Sequence, residues 1–247
     1  TISIIGGENA VVDATYSYGQ SLSGANITFE GVTIKGQTSG NYNGFTHTGD
    51  LTFNKCTFEG KLTVYSNSTF NNCVFNNKKD YAVWTSWGGD KTKFVGCTFN
   101  SGGKALLLYG GSDGSKEKTL IVKDCVFNSD ASNASDKAAI ETGNDYGATY
   151  NLYITNATVN GFAINPNGFV TGTTLWANKN SMPADKLKVT VDGKNAYNYV
   201  AAADNTQSFT DAINNGATEV ALSNGNYTMP EPDLRGKTLT ISGTKDV

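Results

Sequence analysis

The sequence is poor in charge and in several reactive residue types. Charged residues make up 17% of 247, and the chain has four prolines, one histidine (His47) and one arginine (Arg235). The net charge is −3, and no basic block is present, whereas a protein that tracks nucleic acid or anionic lipid needs a concentrated positive face. Nor does any apolar run approach the roughly 20 residues of a membrane span. The sequence therefore predicts neither a nucleic-acid partner nor membrane insertion.

The chain is rich in glycine and in small polar residues. It has 28 glycines, and aromatic residues make up 11%. Disordered chains are poor in aromatics, so this composition indicates a folded chain of short strands and tight turns. The first residues, Thr1 to Ile5, carry no basic region or cleavage pattern and indicate no compartment.

An eight-residue pattern occurs six times. Positions one, three, six and eight are apolar or small, and alternation within each half gives one buried face. The phase slips at positions four and five, where a bend keeps both halves facing inward. Position five is Gly, Asn or Asp except at Lys55, whose coil we expect to bend less cleanly. The pattern occupies residues 27–34, 51–58, 68–75, 92–99, 120–127 and 152–159.

A third strand is predicted about ten residues after each pair. One such repeat cannot bury its own face, but stacked repeats can, so the chain is predicted to be all-β, a parallel β-helix with three short strands per coil. Like positions of successive coils lie about 4.8 Å apart, which predicts two phenylalanine ladders. The ladders are Phe29, Phe53, Phe70 and Phe94, and Phe58, Phe75, Phe99 and Phe127. The third strands are 44–47, 62–65, 82–85, 106–109, 139–142 and 162–165.

The coil with its Asn/Gly-rich bend resembles the pectin-lyase-like right-handed parallel β-helix over about residues 1–170. The resemblance implies a fold and no activity. Catalytic members of that superfamily carry calcium-binding acids with an Arg or Lys base, or paired Asp residues with a Gly-His-Gly turn. Here Arg235 lies in the tail, and His47 stands between two threonines and is expected to point inward. The resemblance is therefore to bacterial surface or adhesin β-helix repeats rather than to the enzymes.

The four cysteines share position six of the repeat. Val32 and Ala157 fill the same position in flanking coils, so it favours a small apolar side chain. We therefore predict a ladder of buried free thiols rather than a metal site or a disulfide framework. The ladder comprises Cys56, Cys73, Cys97 and Cys125.

Beyond residue 170 the pattern changes. Residues 172–200 lose the coil pattern, although Leu187–Gly193 is typical of a strand and turn, and the first domain is set at 1–200. The second, 201–247, is predicted to open with a linker at 201–206 and to contain strand segments at 219–222, 225–227 and 239–243.

The second domain is also predicted to contain one short amphipathic helix at 208–213. Either Thr206 or Ser208 would be its N-cap, and Phe209, Ala212 and Ile213 would share one face. This order resembles the start of a β-helix in the same superfamily, and Thr240–Gly243 resembles Thr1–Gly6. Two interpretations stay open. The chain is one period of a tandem array, or 201–247 is a small separate cap.

Several carboxylates lie in or beside the two longest loops. Glu141 should face outward, since Ile140 and Thr142 face in. A pair such as Glu141 and Asp145 would bind calcium or act as acid and base, but a site needs convergent geometry. We therefore predict no catalytic residue, metal site or cofactor, and keep calcium and that pair as the alternative. The carboxylates are Asp113, Asp130, Asp136, Glu141 and Asp145.

An aromatic strip is predicted on the outer face of the third strands. Tyr65, Trp84 and Tyr109 should point to solvent, with Trp87 just beyond. Flat rings flanked by polar groups suit sugar rings, although long loops folded over the rings are an equal alternative. The predicted ligand-binding residues are Tyr65, Trp84, Trp87, Tyr109 and Glu141, and the predicted partner is a polysaccharide or a host or cell-surface glycan.

These features predict a non-catalytic extracellular or cell-surface module, for adhesion or glycan binding. One alternative is a polysaccharide lyase or glycoside hydrolase with an atypical acid pair near Glu141. Another is a trimeric, tailspike-like receptor-binding β-helix. The oligomeric state is left open.

Overall fold

Coil-on-coil stacking of short parallel strands builds this protein, which confirms the right-handed parallel β-helix. Three long sheets run along the stack, and each takes one strand from successive coils. The computed structural model describes residues 1–15, 20–22, 26–36, 45–47, 49–78, 81–85, 89–109, 117–129, 138–143, 147–162, 175–178, 186–195, 200–203, 205–214, 219–229 and 239–243.

Sheet I holds the first strand of each coil. Its strands are parallel apart from the last, which returns through a tight turn at Asp192 and Gly193, both with positive φ. In spatial order they are β1 (Ile2–Ile5), β4 (Ile27–Glu30), β7 (Leu51–Asn54), β10 (Ser68–Asn71), β13 (Lys91–Val95), β16 (Glu117–Lys123), β19 (Thr149–Thr155), β22 (Leu187–Val191) and β23 (Lys194–Asn195).

Sheet II holds the second strand of each coil and is parallel throughout. It begins two residues after the bend, so its inward residues meet those of sheet I in the core. Its strands are β2 (Val11–Asp13), β5 (Thr33–Lys35), β8 (Thr57–Glu59), β11 (Val74–Asn77), β14 (Thr98–Ser101), β17 (Val126–Ser129) and β20 (Thr158–Asn160).

Sheet III is formed by the third strands, which close the coils. Two third strands of the first coils pair separately, as β3 (Gln20–Leu22) and β6 (Phe45–His47); the side chain of His47 lies outside the described residues. The candidate at 162–165 is described only at Phe162, and the strand that pairs with β18 comes later in the chain. Sheet III comprises β9 (Leu62–Thr63), β12 (Val83–Thr85), β15 (Leu106–Tyr109), β18 (Ile140–Gly143) and β21 (Trp176–Asn178).

The two phenylalanine ladders are confirmed. Phe29, Phe53, Phe70 and Phe94 are in register, with successive ring centroids 5.0, 4.9 and 4.7 Å apart and planes within 9°. The second ladder repeats this at 4.7, 4.7 and 4.9 Å. The ladders meet edge to face, as Phe70 and Phe75 do at 5.4 Å. Offset and edge-to-face contacts are the favourable arrangements of aromatic rings, so the ladders unite sheets I and II.

Every position-five residue adopts the left-handed backbone conformation that the bend requires. Lys55 has a φ of 52°, the same as Asn72, so the expectation that its coil bends less cleanly is wrong. The coil above and the coil below impose the bend on a residue that disfavours it. The six residues are Gly31, Lys55, Asn72, Gly96, Asp124 and Asn156, with φ between 51° and 64°.

The cysteines are free and at most 1% exposed, as predicted for a ladder of small core residues. Each Sγ lies near a backbone carbonyl, for example Cys97 Sγ at 3.4 Å from the Phe70 oxygen. The pKa of the Cys97 thiol is raised, first by hydrogen bonding with the neighbouring thiols and then by burial. The Cys97 thiol therefore stays protonated in the folded protein, whereas hydrogen bonds from the neighbouring thiols lower the pKa of Cys73 and Cys125.

Two predictions for the tail are corrected. Residues 176–178 and 187–191 continue the β-helix, because β21 joins sheet III and β22 joins sheet I, with Leu187 and Val189 buried. The predicted linker at 201–206 contains a strand, β24 (Val200–Ala203). It pairs in parallel with β25 (Glu219–Leu222), and β25 pairs with β26 (Thr240–Gly243), which forms sheet IV.

The predicted helix is present as α1 (Thr206–Asn214). Phe209, Ala212 and Ile213 are buried on one face, as expected. The N-cap is Asn205 rather than Thr206 or Ser208. Its Oδ1 accepts a hydrogen bond from the Ser208 N–H at 2.9 Å, and its own N–H donates to Ser208 Oγ at 3.1 Å. This reciprocal pair satisfies two backbone donors at the start of the helix.

Candidate functional site

An open groove lies where the strands of sheet II end and their loops begin. Its volume is about 1000 Å³, at the upper end of the range for small-molecule sites. Two glycines shape its wall. A Cβ at Gly36 would lie 2.7 Å from the Lys61 carbonyl oxygen, and Gly60 has a φ of 102°. The lining residues are Thr15, Lys35, Gly36, Glu59, Gly60, Asn76, Asn77, Lys78 and Asn100.

An asparagine ladder crosses this groove and continues along the stack. Its members occupy position nine of the repeat, directly after the last core residue of each pattern. Each Nδ2 donates to the side-chain oxygen one coil earlier, at distances of 2.8 to 3.0 Å, and the chain ends on Glu59 Oε1. The ladder runs from Asn160 through Asn128, Asn100 and Asn76 to Glu59.

The ladder presents a repeating polar surface. A primary amide has two N–H donors and an oxygen with two lone pairs. Asn76 and Asn100 each use one donor and one lone pair within the ladder, which leaves one donor and one acceptor per coil for a ligand. Because the coils repeat at the spacing of parallel strands, about 4.8 Å, the groove offers a regular array of paired donors and acceptors.

The charges of the groove are mixed and sum to +1. Lys35 lies directly across from Glu59 in the ladder of sheet II, and Lys78 adds a second ammonium group to the lining. The Glu59 carboxylate accepts the hydrogen bond from Asn76 at 2.9 Å. The groove therefore suits a ligand with many hydroxyl groups and an occasional anionic group.

The outer face of sheet III carries a second cluster. Register places Thr63, Trp84, Leu107 and Glu141 in one row. Trp84 is half-buried and packs edge-on against Tyr81 and Tyr109, with centroids 6.4 and 6.0 Å away. The cluster is thus a packed apolar patch outside the main core.

The prediction that Tyr109 points to solvent is wrong. Strand alternation does direct its side chain away from the coil interior, but Tyr109 is 4% exposed. Trp84 covers one side, and the ring passes so close to Gly143 that a Cβ there would lie 2.6 Å from Tyr109 Cε1. Tyr65 is half-buried, and Trp87 lies outside the described residues. Tyr65, Trp84, Trp87 and Glu141 stay predictions as ligand contacts.

Glu141 faces outward between buried Ile140 and Thr142, as expected. Its carboxylate forms an ion pair with Lys104 Nζ at 2.9 Å and accepts a hydrogen bond from the Tyr109 hydroxyl. Its predicted partner Asp145 lies outside the described residues, as do Asp113, Asp130 and Asp136. These contacts give Glu141 a charge-paired, structural setting.

Sequence reasoning missed Lys104 and the asparagine ladder. Lys104 lies 37 residues before Glu141, and only the coil register brings the two together. The ladder, by contrast, is visible in the sequence as Asn76, Asn100, Asn128 and Asn160, each one residue beyond a repeat.

Comparison with known proteins assigns the chain to no family. No family model matches the chain, and no curated protein or solved structure is significantly similar to it. Among the described residues, no group of three or more His, Cys, Asp or Glu side chains is placed to hold a metal ion. No helix among the described residues is long and apolar enough to cross a membrane.

Proposed function

We propose that this chain is a non-catalytic, glycan-binding β-helix module of an extracellular or cell-surface protein, related to the pectin-lyase-like superfamily. The observation that carries the proposal is the groove of about 1000 Å³ crossed by the Asn76–Asn100 ladder. Neighbouring hydroxyl groups of a sugar both donate and accept hydrogen bonds, and each amide offers one donor and one acceptor to them. The surface location is proposed from this ligand and from the resemblance to surface β-helices.

The distribution of acids supports binding rather than cleavage. Glycoside hydrolysis generally uses two carboxyl groups on either side of the bond. Among the described lining residues of the groove, Glu59 is the one acid, and Asn76 already donates to it. On sheet III, Lys104 neutralises Glu141 at 2.9 Å. Among the residues that the structure describes, neither place brings two carboxylates to one reacting bond.

A glycan array followed by calorimetry on the best hit would test the proposal. Asn76→Ala should weaken binding by about tenfold, since it removes one or two hydrogen bonds worth about 1 kcal/mol each. Asn128→Ala is the matched control. It breaks the same two kinds of ladder bond but lies outside the lining of the groove. Equal losses in both variants, or no glycan bound by the parent, would contradict the groove as the site.

The same assay tests the aromatic strip and the enzymatic alternatives. If the groove alone binds the glycan, Trp84→Ala and Trp87→Ala should leave binding unchanged. A loss in these variants with Asn76→Ala unaffected would move the site to sheet III. Calcium-dependent release of unsaturated sugars from the bound polysaccharide would instead establish a lyase.

A further inference from the structure

The outer face of sheet I changes in composition along the stack. On β4, β7 and β10 the outward residues are threonines, asparagines and one glutamate. From β13 onward the outward positions include lysines, which are separated by up to 97 residues in the chain but share one face. We call these side chains the lysine patch, and all are exposed except the half-buried Lys93. The patch comprises Lys91, Lys93, Lys123 and Lys188.

Coil register places the patch in three outward rows that cross β13, β16, β19 and β22. With neighbouring strands about 4.8 Å apart and about 3.3 Å per residue along a strand, the Cα atoms of the four lysines fall within an area of about 13 by 14 Å. The ammonium groups therefore surround one small area of the sheet. The rows are Lys91, Thr119, Asn151 and Lys188; Lys93, Ile121, Tyr153 and Thr190; and Val95, Lys123 and Thr155.

The acids near the patch lie at its borders and already accept hydrogen bonds. Glu117 accepts one from the Asn151 amide. At the bend, Asp192 accepts one from the Asn156 N–H and Asp124 one from Asn156 Nδ2, each at 2.8 Å. Among the described residues, no carboxylate forms an ion pair with a lysine of the patch. This face is therefore locally positive on a chain whose net charge is −3.

Apolar groups lie between the lysines. Tyr153 and Ile121 are half-buried neighbours in the middle row, and Lys188 Nζ lies 5.9 Å from the centroid of the Tyr153 ring, within the range of a cation–π contact. Apolar side chains of this kind suit the C–H face of a sugar. The three rows contain no arginine, the residue that binds phosphate in a bidentate manner, and lysine is a point charge without such a fixed geometry.

We propose that the lysine patch binds an anionic polysaccharide through its sulfate or carboxylate groups, while a sugar ring packs against Ile121 and Tyr153. Charge complementarity carries this proposal, since a positive area without acids inside it attracts a polyanion. The patch is a second site on sheet I and shares no residue with the lining of the groove on sheet II. Either site can therefore fail while the other binds.

Titration of the full chain with heparin, which is sulfated, and with hyaluronate, which carries carboxylates alone, tests the patch. At least one of them should bind, and more weakly as salt rises, because exposed charges are screened over about 8 Å at physiological ionic strength. Lys93→Glu and Lys123→Glu should each weaken binding by about tenfold, since each replaces an attraction with a repulsion. Lys55→Glu is the matched control. Lys55 is exposed at the bend after β7, outside the three rows, so this variant should bind within about twofold of the parent.

Lys123→Arg separates charge from other effects, because it keeps the positive charge and should bind within about twofold of the parent. Four results would overturn the proposal. They are no binding of either polymer, an equal loss in Lys55→Glu, a loss in Lys123→Arg as large as that in Lys123→Glu, and tighter binding of a DNA duplex of equal charge, which would indicate a nucleic-acid surface. A loss in Asn76→Ala without any loss in the lysine variants would place the polymer in the groove and would equally overturn it.

Discussion

Lys55 carries a backbone conformation that its side chain disfavours, and replacing it should stabilise the protein. Its φ is 52°, and a left-handed conformation costs an L-residue about 1–2 kcal/mol. Glycine avoids that cost but loses about 0.5–1 kcal/mol in chain entropy. The Lys55 side chain is exposed, so little packing is lost. Lys55→Gly should therefore raise the free energy of unfolding by about 0.5–1 kcal/mol.

Urea unfolding, followed by circular dichroism, measures this difference. The corresponding rise in Tm is about 1–4 °C for a chain of this size. Asn72→Lys is the reciprocal variant, because Asn72 has the same φ of 52°, and it should lose a similar amount. Lys93→Gly makes the identical chemical change within β13, where the backbone is extended, and should destabilise by about 0.5–1 kcal/mol. A Lys55→Gly variant that is neutral, or that is destabilised like Lys93→Gly, would contradict a strained backbone at Lys55.

Two further variants probe the core. Phe70→Ala should lower the free energy of unfolding by about 3–5 kcal/mol, since this fully buried ring is stacked on both sides. The control Thr69→Ala, on the outer face, should change it by no more than about 0.5 kcal/mol. A loss below about 1 kcal/mol for Phe70→Ala in urea unfolding would refute the ladder as a stabilising element. The pKa of the Cys97 thiol is raised above its ordinary value of 9.0 by hydrogen bonding with neighbouring thiols and by burial, so its contribution to stability is present below pH 9 and declines as the pH rises further, by about 1.4 kcal/mol per pH unit. Cys97→Val, which places the residue found at Val32 in the same position, should match the parent at pH 8 and lose less stability than the parent between pH 8 and pH 10 in denaturant unfolding; an equal loss would contradict this assignment.

The core of the β-helix could be predicted because the same side-chain packing recurs in every repeat of the sequence. Alternation within each half of the eight-residue pattern states which side chains face inward, and stacking then forces Phe53 onto Phe70 and Cys73 onto Cys97. The bend follows from the phase slip at positions four and five. Residues such as Gly96 and Asn72 favour it, and the coil geometry imposes it even on Lys55.

The rest depends on contacts that alternation does not encode. Alternation directs Tyr109 outward, but whether Trp84 and Gly143 then enclose it depends on packing outside the core. The strand at 200–203 is three alanines after Val200, which have low intrinsic strand propensity, and its pairing with β25 supplies the structure. The shape of the groove depends on the direction in which the chain leaves the strands of sheet II. The asparagine positions in the sequence indicate a ladder on that sheet but do not define the shape of the groove.

The amides of the asparagine ladder inside the groove are proposed to contact a glycan. Nuclear magnetic resonance can follow the side-chain NH₂ signals of Asn76, Asn100, Asn128 and Asn160 during titration with the best glycan from the array. The proposal predicts saturable shifts for Asn76 and Asn100 and unchanged signals for Asn128 and Asn160. Shifts confined to the outer pair, to Trp84, or to no asparagine at all would contradict it.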